Sequence, residues 1–130
     1  MIESSFCFLS GVGWRTERQW WQRGIGSWVD VLVSPSIPGV GASRKALYDS
    51  ALGHATERRA QEDARYFAVT VQARDQWRLY EWLRPRAVYL DIETNSFGQI
   101  TVVGLYGQGR CIALVRGESL TRHRLCEELA

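Results

Sequence analysis

Two groups of residues in this 130-residue chain have types and spacings that could do chemistry. The first is the acidic pair Asp91 and Glu93, inside the run Ala87-Val-Tyr-Leu-Asp-Ile-Glu-Thr94. A strand alternates faces at each residue, so an extended segment turns Asp91 and Glu93 to one side and Leu90 and Ile92 to the other. Neighbouring carboxylates repel, and a cation between them is the usual reason to keep both. The second group is a pair of Gly-Val-Gly turns, Gly11 to Gly13 and Gly39 to Gly41, each opening a helical pattern that carries basic residues: Arg15 and Arg18 after the first, Arg44 and Lys45 after the second. Free N–H groups at a helix start, together with the positive end of its dipole, attract anions. Each group also has a plain structural reading, in which the acids merely end a strand and the glycines merely join packed helices.

The elements that must position these residues fall into two regions, 1–84 and 85–130. In the first, the pattern predicts a helix over 16–23, with Gly24 placed as its C-terminal glycine and Ser27 as the cap of the next helix. The second glycine turn opens an amphipathic helix with Ala42, Ala46, Leu47 and Leu52 as its apolar positions. Residues 54–73 read as a solvated, charged helix. Over 73–83, Trp77, Leu79, Tyr80 and Leu83 predict a helix packing on the sheet that follows, ended by Pro85. The two glycine turns lie about 28 residues apart, a degenerate repeat of one helical unit. After Pro85 the period becomes extended: a buried strand over 87–93, a turn over 95–99, a second strand over 100–106, a Gly-Gln-Gly-Arg hairpin turn, a third strand over 111–115, and a helix capped by Ser119 or Thr121.

Composition bounds the class. An apolar fraction of 45% and a net charge of +2 are those of a folded soluble chain, and the charge alone does not announce nucleic acid. Of the 16 basic residues all except Lys45 are arginine, whose planar fork suits phosphate. No apolar run approaches the roughly 20 residues that cross a bilayer, and the first residues lack the pattern of a secretory leader, so a cytoplasmic location without membrane association is expected. Cys7, Cys111 and Cys126 form no CxxC pair and read as reduced thiols. Among the six tryptophans, Trp20, Trp21, Trp28, Trp77 and Trp82 read as core.

The Gly-hydrophobic-Gly turns before basic helices resemble the helix-hairpin-helix element, which holds nucleic-acid phosphate on loop N–H groups. The stretch "YLDIETNSFGQITVVGLYGQGRCIALVRGE" resembles the YprB-type ribonuclease H-like domain family of bacteria, within the DnaQ-type, DEDD exonuclease superfamily. The segments "GVGWRTERQWWQRGIGSWVDVL", "IPGVGASRKAL" and "ARYFAVTVQARDQWRLYEWL" are similar to the helical region that precedes the nuclease domain in that family. The resemblance implies an α+β chain: a helical region with helix-hairpin-helix-like turns, then the first three antiparallel strands and first helix of an RNase H-like fold. It implies metal-dependent phosphodiester cleavage from a 3′ end, with Asp91 bridging two Mg²⁺ or Mn²⁺ ions, Glu93 binding one of them and its water, and the backbone near Thr94 beside the terminal nucleotide. DNA or RNA would be the partner, with Gly11, Gly13, Arg15, Arg18, Gly39, Gly41, Arg44 and Lys45 holding phosphates.

The chain departs from the family in one respect. The later acidic motifs of the DEDD enzymes are absent, and Glu118, Glu127 and Glu128 fit none of them. The expectation is a truncated relative, catalytically incomplete unless another chain supplies ligands, with an incomplete sheet whose open edge invites self-association or a partner chain. A non-catalytic nucleic-acid-binding module and a structural fragment stand as alternatives.

Overall fold

The computed structural model describes residues 1–129 and is mixed α+β, with six α-helices and one three-stranded antiparallel sheet. The chain divides into two compact units, Met1–Leu83 and Arg84–Ala130. None of the described helices is long and apolar enough to cross a membrane.

The first unit contains α1 (Trp14–Gln22), α2 (Trp28–Val33), α3 (Ala42–Ala60), α4 (Ala64–Thr70) and α5 (Tyr80–Leu83), with a 3₁₀ segment at Ala73–Leu79. The end of α1 is a Schellman motif: Gly24 sits at φ +82°, its N–H donates to the Trp21 carbonyl at 3.0 Å, and the Ile25 N–H donates to the Trp20 carbonyl at 3.0 Å. Ser27 then caps α2 in a reciprocal box, receiving the Asp30 N–H while the Asp30 carboxylate accepts from the Ser27 N–H at 2.8 Å. The core that results is a chain of aromatic rings in edge-to-face and stacked contacts. Phe6 meets Trp20 at 5.1 Å between centroids, Trp20 meets Tyr48 at 5.8 Å, Trp28 meets Phe67 at 6.0 Å and Phe67 meets Trp82 at 5.3 Å.

One buried carboxylate ties this core together. Glu17 is 1% exposed and accepts from the Phe6 N–H at 2.6 Å and the Ser5 hydroxyl at 3.1 Å, while its other oxygen meets the Arg78 guanidinium at 2.9 Å. Arg78 also faces Asp75 at 3.4 Å and lies over the Trp77 and Trp21 rings. A single charge therefore joins the lead segment, α1 and the 3₁₀ segment.

Several elements differ from the sequence reading. The buried face of α3 is Lys45, Tyr48, Leu52 and Ala55, whereas Ala42, Ala46 and Leu47 are exposed. Its packing partners lie on the side of Tyr48, and the 3-4 spacing of these four residues selects that face. The helix expected over 54–73 is broken: α3 runs to Ala60, Glu62 takes φ +55°, and Asp63 caps α4 by accepting from the Tyr66 N–H at 3.0 Å. The segment 73–83 is mainly 3₁₀, and Leu79 belongs to the core of this unit together with Trp82 and Leu83. Trp21 and Trp77 are exposed rather than core, and the Arg78 guanidinium lies against both rings.

The second unit is a meander of β1 (Tyr89–Thr94), β2 (Ile100–Gly107) and β3 (Arg110–Val115) in the order β1-β2-β3, followed by α6 (Arg122–Leu129). The β2-β3 turn is a two-residue loop with Gln108 at φ +51° and Gly109 at +75°, the primed hairpin geometry that matches strand twist. Thr121, not Ser119, caps α6, accepting from the Arg124 N–H at 3.1 Å. Val103, Leu105 and Leu114 form the small core, with Ile112, Leu120 and Leu125 against it. Register places Leu90 and Ile92 on the same face as these residues, opposite Leu105 and Val103. Yet every position of β1 is exposed, so the expectation of a buried strand over 87–93 is overturned. The cover supplied by Leu120 and Leu125 reaches β2 and β3, and β1 is left as the sheet's edge.

Glu17→Ala should lower stability by about 3–5 kcal/mol, since it strips the buried Phe6 N–H and Ser5 hydroxyl of their acceptor and leaves Arg78 only the longer contact to Asp75; urea unfolding that shows less than about 1 kcal/mol of loss would refute the tie. Hydrogen bonds from the Ser27 side chain and from the Gly26 and Ser27 N–H groups hold Asp30 below the usual carboxylate range. The unfolded chain therefore binds the proton first as pH falls, so this contribution is intact above the ordinary carboxylate pKa and is lost as pH drops through the lowered folded value. Asp30→Asn should flatten the acid limb of stability against pH, measured by thermal melts from neutrality into strong acid.

Candidate functional site

The two glycine turns share one backbone geometry. In each, a residue three positions ahead donates back across the turn, Val12 N–H to the Leu9 carbonyl and Val40 N–H to the Ile37 carbonyl, both at 3.0 Å. Gly11 and Gly39 occupy the left-handed position at φ +77° and +81°, where a side chain would be strained. The intervening valine faces inward: Val12 is buried and Val40 packs on the core. The second glycine of each motif, Gly13 or Gly41, is the N-cap of the next helix, α1 or α3, and gives no side-chain cap. The first-turn N–H groups of both helices therefore have no intrahelical acceptor, and the residues bearing them, 14–16 and 42–44, are exposed or half-buried.

Arg15, Arg18 and Arg44 are exposed on these helices. Arg44 lines a cleft with Gly11, Leu47 and Tyr48, and the Tyr48 hydroxyl fixes the first turn there by donating to the Ser10 carbonyl at 3.0 Å. The structure thus brings Gly11 of the first motif to Arg44 of the second. Lys45 stands apart. Its side chain is 7% exposed and its ammonium donates to both Asp49 oxygens at 2.6 and 2.7 Å, so its charge is spent inside α3 rather than offered to a phosphate. Its neighbour Arg44 is one helical position away and points out, a difference of about 100° that spacing in the sequence does not resolve.

Two further clefts flank the first turn. One is lined by residues 7–13 together with Thr70 and Gln72, the other by Gly13, Trp14, Gln72, Arg74 and Asp75 among others. Trp14, Gln72, Arg74 and Asp75 were invisible as site residues in the sequence, because they come from segments nearly 60 positions apart with no motif between them. Cys7 also lines both clefts; burial pushes its thiol pKa up, which keeps it protonated and unreactive.

Asp91 and Glu93 lie on one face of β1, with Asp91 opposite Gly104 and Glu93 opposite Val102. Gly104 is in turn opposite Ala113, so the sheet beside Asp91 carries no large side chain. Thr94 follows a register shift after Glu93 and pairs with Ile100, and the Thr101 hydroxyl donates to the Glu93 carbonyl at 3.1 Å. Among the described residues no group of three or more His, Cys, Asp or Glu comes together as a metal set. Two carboxylates are too few for a pair of divalent ions, so the donor set of this chain does not fit the two-ion centre implied by the resemblance. Glu127 and Glu128 are taken up by arginines, with Arg124 meeting Glu128 at 2.5 Å and Arg110 meeting it at 3.3 Å.

No family model, no curated protein and no solved structure matches this chain.

Proposed function

We propose that this chain is a nucleic-acid-processing protein whose helical unit binds the phosphate backbone through its two glycine turns. The observation that carries the reading is the repetition: two turns of identical hydrogen bonding and identical glycine conformation each open an uncapped helix start, with Arg15 and Arg18 or Arg44 beside it. One such turn is an ordinary joint between helices. Two that each carry exposed arginine on the helix they open supply fixed N–H donors and mobile positive charge together, the combination that holds a phosphodiester without reading its bases. Gly11, Gly13, Gly39 and Gly41 contribute backbone, and the arginines contribute charge.

The second unit supports an ancestral relation to metal-dependent 3′-5′ exonucleases of the RNase H-like superfamily. Support comes from the shared face of Asp91 and Glu93 and from the strand-hairpin-strand-helix order around them. With only two carboxylates to offer, the chain by itself is a binder and not a complete phosphodiesterase. A second copy or another chain laid along the free edge of β1 is where further ligands would enter, since that edge is unpaired and Asp91 and Glu93 stand on it.

Anisotropy titrations of a labelled 12-mer should give an affinity that falls steeply with salt, and Arg18→Ala and Arg44→Ala should each weaken binding and reduce the log-log salt slope by about one. Lys45→Ala should leave that slope unchanged. In Mn²⁺ the isolated chain should leave the oligonucleotide intact, and Asp91→Asn should bind as the parent does. A salt-independent affinity, or one indifferent to both arginines, would end the reading.

A further inference from the structure

Trp14, the first residue of α1 after the first glycine turn, is 62% exposed. Its ring lines a cleft of about 240 Å³ with Gly13, Gln72, Arg74 and Asp75. Pockets for drug-sized ligands span roughly 300–1,000 Å³, so this one suits a single ring system rather than a whole nucleotide. The Arg15 guanidinium lies over the indole at 5.3 Å from its centroid and occupies one ring face, and a planar ring has a second for stacking.

The charges of the cleft decide what kind of group fits. Asp75 is held by Arg74 at 3.5 Å and by Arg78 at 3.4 Å, and its carboxylate stands in the lining. Arg78 is already neutralised by Glu17. A phosphate entering the cleft would meet the Asp75 carboxylate, whereas the N–H groups of a base edge would find an acceptor there. The Gln72 amide offers both a donor and an acceptor to the same edge. Arg74, 77% exposed at its side chain, adds a cation at the rim of the cleft.

We infer that this cleft receives one unpaired nucleobase stacked on Trp14, so that the chain prefers single-stranded over duplex nucleic acid. The inference rests on the proposed phosphate binding by the glycine turns and names the form of nucleic acid they serve. In a duplex the bases are stacked on one another and cannot enter; in a single strand every base has a free face.

The test uses the full chain and three probes: a labelled single-stranded 12-mer, the same sequence as a duplex, and the same length of abasic strand. Trp14→Ala should weaken the single strand roughly 5- to 150-fold, the range expected for loss of one base-aromatic stack, and leave the duplex and the abasic strand unchanged. Trp14→Phe should restore most of the loss. Because Trp14 is exposed, an unchanged melting temperature is expected for both variants. Equal losses on all three probes, or none on the single strand, would overturn the stacking site while leaving phosphate binding standing. Failure of the parent chain to bind any probe would overturn both.

Discussion

The helical unit depends on a carboxylate that has been taken out of water. Glu17 belongs to α1, and its side chain reaches back to the backbone of Phe6 and across to Arg78. Withdrawing an ion from water is costly, and only several well-aligned partners offset it. Glu17 has three, Ser5 and Phe6 from the lead segment and Arg78 from the 3₁₀ segment, and this is why the lead segment cannot slide along α1. The indole of Trp28 adds a hydrogen bond to the Ser5 carbonyl at 2.7 Å, and that of Trp21 adds one to the Ser4 carbonyl at 2.9 Å. With residues 4–6 pinned, the next few run into the Leu9–Val12 turn at a fixed height on the core, and the helix start at Gly13 follows.

The same tie shapes the surface beside the turn. Arg78 meets Glu17 from one side and Asp75 from another, so the 3₁₀ segment is drawn against α1 and brings Gln72, Arg74 and Asp75 up to Trp14. A cleft next to a glycine turn thus arises from the burial of a charge some distance beneath it.

The strand-rich unit obeys a different constraint, namely how much one short helix can cover. Val103, Leu105 and Leu114 are buried, while Leu90 and Ile92 on the same face are 48% and 46% exposed. Close approach of chains governs the hairpin base, where a side chain on Gly107 would come within 3.2 Å of Val88 and 3.3 Å of the Ala87 carbonyl. The acidic pair therefore stands on a well-registered but open strand. Register is firmly set and solvent shielding is not, and a site for polyvalent cations needs both.

The sequence by itself determined whatever is local. Gly24, Ser27 and Thr121 sit at the helix ends that their chemistry dictates, the Gln108-Gly109 loop turns where a primed turn is required, and the Gly-Val-Gly turns open helices, because each of these rests on φ/ψ preferences and hydrogen bonds within a few residues. The common side of Asp91 and Glu93 follows from the pleat alone. Only the tertiary structure decided which face of α3 is inside, that Lys45 is spent on Asp49 while Arg44 is free, that Glu17 and Arg78 meet, that Trp14 and Arg74 line one cleft, and that β1 lies open. Those outcomes depend on which surfaces compete for burial, a balance of many distant contacts that no spacing between neighbouring residues encodes.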